Sequence, residues 1–257
     1  MTKEEALREI ELANKEYRRP SLAGAELKKA NLVGLDLAGA NLNWANLTNA
    51  NLRAADLAGA SLYGSKLKGA SLRAANLIEV DLEGASLARA SLIGASLRGA
   101  NLTQAKLRGA DLAGVDLARA NIVNADLRES NLINANFTGA SFIGSIFIGA
   151  CLAGSNLTNA NLRGADLTGV DLVSCKGIKT FQAGRHFAFS YQYQGETFVE
   201  IGCMHHPIEY WLENYKSIGK QVGYTKNEIK IYGANLRLTK KAWELEGEID
   251  PNELPRK

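Results

Sequence analysis

An apolar residue recurs at every fifth position from Leu22 to Leu172, which gives 31 positions without a break in register. All of these positions are leucine except Ile122, Phe137, Phe142 and Phe147. A period of five matches neither the helical period near 3.6 nor the strand period of two. The pattern therefore indicates a repetitive backbone that buries one large side chain in each five-residue unit.

The positions around each apolar centre are also restricted. The residue two before the centre is nearly always alanine, and the residue directly before it is mostly Asn, Asp or Ser. The residue two after the centre is often Gly or Asn, as at Gly24, Gly39 and Asn49, and both types accept positive φ at low cost. Each unit is thus predicted to be a very short extended piece followed by a corner, in coils stacked about 4.8 Å apart.

The units A-N-L-x-x and A-D-L-x-G that fill residues 20–174 resemble the pentapeptide-repeat family. The resemblance implies an all-β solenoid, specifically a right-handed quadrilateral parallel β-helix with four units per coil. Its 31 units would make nearly eight coils. Because large and small side chains would fill the interior, no ligand cavity is expected there, and function is expected on the outer faces or at the ends.

The N-terminal segment, residues 1–19, is predicted to contain a capping helix that spans residues 3–19. Thr2-x-x-Glu5 is a capping box, and Pro20 stops the helix. The apolar positions at helical spacing are Ala6, Ile10, Ala13 and Tyr17. Such a helix would cover the open first coil, whose backbone is otherwise unpaired. A partner-binding helix is the alternative.

After residue 174 the five-residue pattern stops, and residues 175–243 are predicted to form a small ββαα module of the α+β class. Residues 187–201 alternate apolar and polar side chains about Gln194-Gly195, which predicts a β-hairpin. The run IGC-x-x-H followed by Trp faintly resembles tails of some phage and bacterial proteins of unknown role, and this resemblance implies no function.

Two helices are predicted to complete this module. Pro207 opens the first, and the capping box Thr225-x-x-Glu228 opens the second, which leads towards Trp243. The tail, residues 244–257, is charged and is expected to fray.

Composition narrows the classes of function. The 30 basic and 27 acidic residues leave the chain nearly neutral, which weakens any argument from bulk charge. No window approaches 18 continuous apolar residues, and the N-terminus lacks the pattern of a signal peptide, so no membrane association is expected. Three widely separated cysteines favour a reducing, cytoplasmic location over a disulfide framework.

If four units make a coil, residues 20 apart share a face, and one face then carries a basic strip. Its candidate interaction residues are Lys66, Lys68, Arg89, Lys106, Arg108 and Arg128. The strip is interpreted either as an ordinary solvated face or as a docking surface for an acidic protein, RNA or DNA. No aromatic residues interleave with these charges, which argues against stacking of a single strand.

The resemblance also raises DNA gyrase as a partner. Some members of the family, including quinolone-resistance proteins, resemble B-form DNA in shape and charge and bind gyrase, which requires an acidic surface. Residues 21–174 contain 13 basic and 12 acidic residues, and no loop interrupts the register. Gyrase mimicry therefore stays an alternative to the leading hypothesis.

An apolar docking patch is predicted on two adjoining faces of the late coils. It consists of Val123, Ile143, Ile146 and Ile148. Contiguous exposed apolar surface usually marks an interface, so the C-terminal module or a second subunit is expected to pack there. Members of the family often dimerise end to end, which keeps a homodimer open.

Catalytic chemistry has little support in the sequence. The repeated units contain no histidine, so a Ser-His-Asp arrangement cannot be built from them, and the run Cys203-Met204-His205-His206 matches no common zinc spacing. A buried cysteine and helix-entry histidines are the interpretation favoured over a metal site or a thiol enzyme, and no cofactor is expected. The recognition candidates of the module are Cys203, His205, His206, Trp211 and Tyr215.

The leading hypothesis is a non-catalytic interaction or scaffold protein that binds a macromolecule through its C-terminal module and outer faces. The first alternative is a nucleic-acid or topoisomerase binder that uses the solenoid surface. The second is a small metal- or thiol-dependent enzyme in the module.

Overall fold

The computed structural model of the 257-residue chain describes residues 1–183, 186–201 and 204–248. The chain forms two compact units, Met1–Lys176 and Gly177–Lys257. We call the first the β-helical unit and the second the C-terminal module. Of the helices described, none is both long and apolar enough to cross a membrane.

Helix α1 spans Lys3–Lys15 and buries Ala6, Ile10 and Ala13. The predicted capping box is confirmed: the Thr2 N–H donates to Glu5 Oε2 at 2.8 Å, and the Glu5 N–H donates to the Thr2 hydroxyl at 3.2 Å. Just before the helix, the Met1 carbonyl accepts a 3.0 Å hydrogen bond from the N–H of Glu26. The N-terminal segment is therefore tied to the first coil.

Helix α1 ends earlier than the predicted residue 19. Tyr17 has a left-handed φ of 54° and is 99% exposed, so it does not extend the buried face of the helix. The Arg18 N–H donates to the Ala13 carbonyl at 3.0 Å, and its guanidinium binds the Glu9 carboxylate. The end is set by this left-handed turn, which satisfies a late helical carbonyl before Pro20 is reached.

Residues 21–176 form coils of 20 residues. Parallel β-bridges join residues 20 apart without interruption, from Ser21↔Asn41 to Asn156↔Lys176. The N–H of each central residue from Leu22 to Leu157 donates to a carbonyl of the next coil, as from Leu22 to Asn41 at 2.6 Å. Four five-residue units therefore make each coil, as the resemblance implied.

The interior of the coils is filled by side chains. Every central residue from Leu22 to Leu167 is buried, and only Leu172 at the last centre is half-buried. Phe142 contacts Phe137 and Phe147 edge to face, with ring centroids 5.1 and 5.0 Å apart. Burial of each leucine contributes on the order of 1.5–3 kcal/mol to the free energy of unfolding. The packed side chains leave no room for a ligand inside the coils.

Each five-residue unit ends in a corner with left-handed φ. All 31 residues two after a centre have φ between 51° and 71°, and only 17 of them are glycine. Asparagine, predicted as the other corner residue, stands at four of the rest, and the remaining corners carry residues such as Ala54 and Trp44. The cumulative packing of the coils therefore overrides local backbone preference at many corners.

The C-terminal module contains a four-stranded antiparallel sheet in the order β1-β2-β3-β4. Its strands are Ile178–Ala183, His186–Tyr193, Glu196–Ile201 and Met204–Pro207. The predicted hairpin is confirmed as β2 and β3, which pair from Tyr193↔Glu196 onwards. Its turn has positive φ at both Gln194 and Gly195, the conformation of a type I′ turn. Helices α2 (Ile208–Gln221) and α3 (Lys226–Glu248) follow.

The predicted ββαα order is wrong, because β1 and β4 add two outer strands and make the module ββββαα. β1 and β4 lack a strong strand pattern of their own and are held by pairing with β2 and β3, as in Thr180↔Phe189 and Glu200↔His205. The tail predicted to fray from residue 244 is helical through Glu248, and residues 249–257 lie outside the described residues.

The module packs both helices on one face of its sheet. The shared core contains Ala188, Val199, Ile201, Ile208, Trp211, Tyr224, Tyr232 and Leu236. Trp211 Nε1 donates to the Val199 carbonyl at 2.9 Å, and Trp243 Nε1 donates to the Ser190 hydroxyl at 3.0 Å. These two bonds fix α2 and α3 to the sheet because they satisfy indole N–H groups that would otherwise be buried without partners.

Candidate functional site

The 20-residue coil sorts the outer surface into four faces. Face A is centred on Leu22 and every twentieth residue after it, and faces B, C and D are centred in the same way on Leu27, Leu32 and Leu37. On each face, the residues directly before and after the centre point outwards, and the corner residue leads to the next face. Faces B and D therefore lie on opposite sides of the coil.

Face B concentrates positive charge in an otherwise balanced surface. It carries eight basic residues against four acidic ones, whereas the opposite face D carries two against four within residues 21–174. The basic residues of face B are Lys28, Lys29, Lys66, Lys68, Arg89, Lys106, Arg108 and Arg128. All six predicted basic-strip residues thus share this face, counting Arg89 at its corner.

Two arginines of the strip are neutralised by neighbours. Arg108 donates to Glu129 at 2.7 Å, and Arg128 donates to Asp126 through two nitrogens at 2.7 and 2.8 Å. These hydrogen bonds hold the pKa values of both carboxyl groups below their ordinary values. The contacts leave less positive charge at this end of the strip than the sequence indicated.

Lys28 and Lys29 in the first coil of face B are exposed, and neither they nor four further exposed cations of its middle coils form an ion pair within the described part of the chain. The latter four are Lys66, Lys68, Arg89 and Lys106. They occupy three successive coils, so neighbouring members are separated along the stack by about 4.8 Å per coil. We call these four residues the cationic cluster.

Face D does not present a continuous acidic surface. The amide of Asn76 donates to Asp56 at 3.0 Å, and the amide of Asn136 donates to Asp116 at 2.9 Å. Arg98 also lies 3.9 Å from the Asp116 carboxylate. The acidic column is thus interrupted by amides and partly neutralised.

An exposed aromatic pair, which sequence analysis missed, borders the cationic cluster. Trp44 and Tyr63 are 62% and 39% exposed, and their rings meet edge to face with centroids 5.1 Å apart. The Trp44 ring lies over Gly64, where an added β-carbon would fall 2.4 Å from it. Lys66 follows Gly64 by only two residues, so these two Cα atoms are at most about 7 Å apart.

The aromatic pair escaped detection because its members are 19 residues apart in the chain. Trp44 occupies the corner between faces A and B, and its N–H donates to the Tyr63 carbonyl of the next coil at 2.9 Å. A separation one short of the 20-residue coil was the signal that could have revealed the pair. No aromatic side chain interleaves with the charges of the basic strip, but this pair lies at the corner that borders it.

The four apolar-patch residues lie on two adjoining faces in two successive late coils. Val123 and Ile143 lie on face A, whereas Ile146 and Ile148 lie on face B. Ile143 and Ile148 are 37% and 42% exposed, and the other two are half-buried. Their role as a docking patch stays a prediction.

Two recognition candidates of the C-terminal module, Trp211 and Tyr215, pack within the module. Trp211 is fully buried in the module core. The ring of Tyr215 packs directly against Gly233 of α3. Neither side chain offers a contact surface comparable with that of Trp44.

The described histidines of β4 lie on a strand, with opposite orientations. His205 Nδ1 lies 3.0 Å from Glu200 Oε1, and its ring stacks on Phe198 with centroids 5.0 Å apart. His206 contacts the ring of Tyr210 with centroids 4.0 Å apart. Their prediction as helix-entry residues is corrected to strand residues, because pairing with β3 extends the strand to Pro207.

Cys203 lies outside the described residues. Among those that are described, no three His, Cys, Asp or Glu side chains form a group that could hold a metal ion. Cys175 donates to the Leu152 carbonyl at 2.9 Å, and burial raises the pKa of its thiol. A raised pKa disfavours the nucleophilic thiolate at this position.

A cleft of about 450 Å³ opens in the C-terminal module between the β2–β3 turn, the start of α2 and the end of α3. Its charged lining includes Lys240, which contacts Glu209 at 2.8 Å and Glu244 at 3.9 Å. The lining also includes Glu196, so three carboxylates stand against one lysine and the cleft does not suit an acidic ligand.

The repeated units match the family model of pentapeptide repeats in overlapping segments that run from residue 21 to residue 176. The chain belongs to the pentapeptide-repeat family. Membership of the family implies the right-handed quadrilateral β-helix expected from the resemblance, and the four-unit coils conform to it. Pentapeptide-repeat proteins are generally non-catalytic.

Several solved pentapeptide-repeat structures are similar to this chain. HetL of Nostoc sp. strain PCC 7120, involved in heterocyst differentiation regulation, is 32% identical over 61% of this chain and 80% of its own, with a TM-score of 0.36. The pentapeptide-repeat protein alr5209 from the same strain is 36% identical over 47% and 78%, with a TM-score of 0.30.

QnrB1, a plasmid-mediated fluoroquinolone resistance protein, is 21% identical over 61% of this chain and 88% of its own, with a TM-score of 0.32. Comparison with curated protein sequences gave no match.

Proposed function

We propose that this pentapeptide-repeat protein is a non-catalytic binding protein that uses face B of its β-helix to hold an acidic macromolecule. The observation that carries the proposal is the cationic cluster, Lys66, Lys68, Arg89 and Lys106, whose members are exposed and free of ion pairs within the described residues. The filled interior supports a role for the outer surface, because side chains occupy the space where a substrate could otherwise enter.

The rigid spacing of the coils favours cooperation between the cations. Neighbouring coils are about 4.8 Å apart, which is shorter than the Debye length of about 8 Å at physiological ionic strength. The electrostatic potentials of neighbouring cations in the cluster therefore add, because salt does not fully screen one cation from the next. The backbone bridges already hold the charges in place, so binding requires no ordering of the chain that carries them.

Mimicry of DNA on a gyrase-type target is less well supported. An acidic face would be required, and face D offers carboxylates whose hydrogen bonds to Asn76 and Asn136 interrupt the column. A cytoplasmic location accords with the proposal, since Cys151 and Cys175 form no disulfide in the described part of the chain.

The proposal is tested by charge reversal with a matched control on full-length protein. One variant combines Lys66→Glu, Lys68→Glu and Lys106→Glu on face B. The control combines Arg98→Glu, Arg119→Glu and Arg163→Glu, which are exposed arginines of faces D and A. Both variants change the net charge equally, so any difference between them reports on the location of the charge.

Heparin serves as the acidic polymer, and the salt concentration that elutes each protein is the measurement. We expect the face B variant to elute at much lower salt than the wild type, while the control elutes close to the wild type. Equal shifts in both variants, or no shift in either, would contradict a binding surface on face B.

A further inference from the structure

Trp44 occupies a corner where a large side chain is costly. Its φ is 61°, in the left-handed region that is unfavourable for bulky residues by about 1–2 kcal/mol. Other corners whose side chains approach a glycine of the next coil carry asparagine or a flexible charged side chain, for example Asn49 over Gly69 and Arg89 beside Gly109. The tryptophan is thus retained at a strained position although most of its surface remains in solvent.

The strained tryptophan lies beside the cationic cluster. In the coil below it, Tyr63, Lys66 and Lys68 follow one another around the corner from face A to face B. The Trp44 N–H donates to the Tyr63 carbonyl, and three residues later the Leu47 N–H donates to the Lys66 carbonyl at 2.8 Å. The two coils therefore stay in register through this corner. The Cα atoms of Tyr63 and Lys66 are at most about 11 Å apart.

Carboxylates limit the direction in which an acidic chain could lie. Asp81 and Glu83 occupy face A one coil beyond Tyr63, and both accept hydrogen bonds from Asn101. Their charge would repel phosphates on that side. A strand that contacts the aromatic pair would therefore pass over the corner towards Lys66 and along face B, where Lys106 lies two coils further on.

We propose that Trp44 and Tyr63, together with the cationic cluster, form a binding site for single-stranded nucleic acid. Bases stack on the exposed aromatic rings, and the phosphates that follow bind Lys66, Lys68, Arg89 and Lys106. This combination of stacking surface and positive groove is the general means by which proteins hold single strands without reading their sequence. The inference rests on the proposed function of face B and specifies its partner.

The affinity should be moderate and strongly dependent on salt. Four phosphate contacts on a single strand predict that the logarithm of the association constant falls with the logarithm of salt concentration with a slope of about −3. Loss of one stacked base should weaken binding by about 5- to 150-fold.

The test compares Trp44→Asn with Gln104→Asn in the full-length protein. Asparagine already occupies four corners of this chain, so Trp44→Asn removes the ring without adding backbone strain. Gln104 occupies the equivalent corner of face A three coils further on and provides the matched control. The probes are fluorescein-labelled oligo(dT) and oligo(U) of 20 nucleotides, an abasic oligomer of equal charge, and a 20-base-pair duplex.

We expect both oligonucleotides to bind the wild type and the Gln104→Asn control. Trp44→Asn should bind them about 5- to 150-fold more weakly and should bind the abasic oligomer as the wild type does. Intrinsic fluorescence supplies an independent readout, because Trp211 and Trp243 are buried and Trp44 is exposed. Oligo(dT) should therefore quench the fluorescence of Trp44 in the wild type, and this quenching should be absent from Trp44→Asn.

Failure of this inference can be separated from failure of the proposed function. If Trp44→Asn binds oligo(dT) as the wild type does, while the face B charge reversal abolishes binding, the stacking site is excluded and the basic face remains. Tighter binding of the duplex, or binding of polyglutamate with no binding of oligonucleotides, would also overturn the single-strand site. Absence of binding to heparin and to every oligonucleotide would overturn both proposals.

Discussion

The ring of Tyr215 on α2 lies so close to Gly233 on α3 that a β-carbon at position 233 would fall 2.3 Å from it. This contact sets the distance between the two helices of the C-terminal module. A similar approach occurs where a β-carbon at Gly219 would meet Ile229 at 2.7 Å. The two glycines therefore allow helix α2 to pack closely on helix α3.

Gly233→Ala should destabilise the C-terminal module by at least about 1 kcal/mol, although alanine is the better helix former. The clash with Tyr215 outweighs the propensity gained. Guanidinium denaturation followed by far-UV circular dichroism measures the change, and Ala234→Gly at the neighbouring exposed position measures the propensity alone. Adding Tyr215→Ala to Gly233→Ala should relieve the clash. A Gly233→Ala variant more stable than the wild type would contradict the packing described.

Corner residues of the β-helix should respond to substitution in opposite directions. Gly59→Ala should lower the free energy of unfolding by about 1 kcal/mol, because φ is +61° and no neighbouring atom lies within 4 Å of the added carbon. Ala54→Gly, at a φ of 51°, should raise it. Denaturant titration of both variants is the measurement, and a change of the same sign in the two would refute the assignment to backbone strain.

Phe142→Ala should destabilise the β-helical unit by about 3–5 kcal/mol, because the ring is fully buried between Phe137 and Phe147. Phe142→Leu restores the residue usual at this position and should cost about 1 kcal/mol. The adjacent Ile143 is 37% exposed, so Ile143→Ala should cost less than Phe142→Ala. Thermal and denaturant unfolding measure these changes. Equal destabilisation by Phe142→Ala and Ile143→Ala would contradict the packing described.

The Glu9–Arg18 contact should make α1 sensitive to acid. The hydrogen bond from Arg18, assisted by the Ser21 N–H, lowers the pKa of Glu9 from 4.5 to about 2. A folded-state pKa below the unfolded one stabilises the folded chain above pH 4.5, and this contribution is lost as pH falls towards 2. Glu9→Gln should therefore reduce the melting temperature at pH 6.

The difference between Glu9→Gln and the wild type should shrink as the pH approaches 2. The exposed Glu11 lies on the same helix, so Glu11→Gln controls for the loss of one charge. A destabilisation by Glu9→Gln that persists unchanged at pH 2 would show that the ion pair is not its cause.

The elements predicted correctly carry local signals. The corner residues recur every five positions, the β2–β3 turn is marked by Gln194-Gly195, and the start of α1 is marked by Thr2 and Glu5. Strands β1 and β4 were missed because an outer strand is defined by its partner. Their pairing joins residues such as Lys179 and Ser190 across the sheet, and no local pattern in 178–183 or 204–207 requires it.

The candidate site was only partly predictable for the same reason. A period of 20 residues placed Lys66, Lys106 and their neighbours on one face from sequence alone. Whether a cation is free depends on distances between side chains, and the structure pairs Arg108 and Arg128 with acidic neighbours. The 19-residue separation of Trp44 and Tyr63 indicates that they lie in adjacent coils, but only the structure shows that their rings are in contact.

The sequence by itself determined the coil, its filled interior and its family, because backbone turning and side-chain burial repeat within every five residues. The tertiary structure alone decided which surface groups act together. Stacking of coils brings Trp44, Tyr63 and Lys66 to one corner and neutralises two arginines on the same face. Electrostatic and aromatic contacts depend on distances of a few ångströms between residues far apart in the chain, and only the folded coils establish those distances.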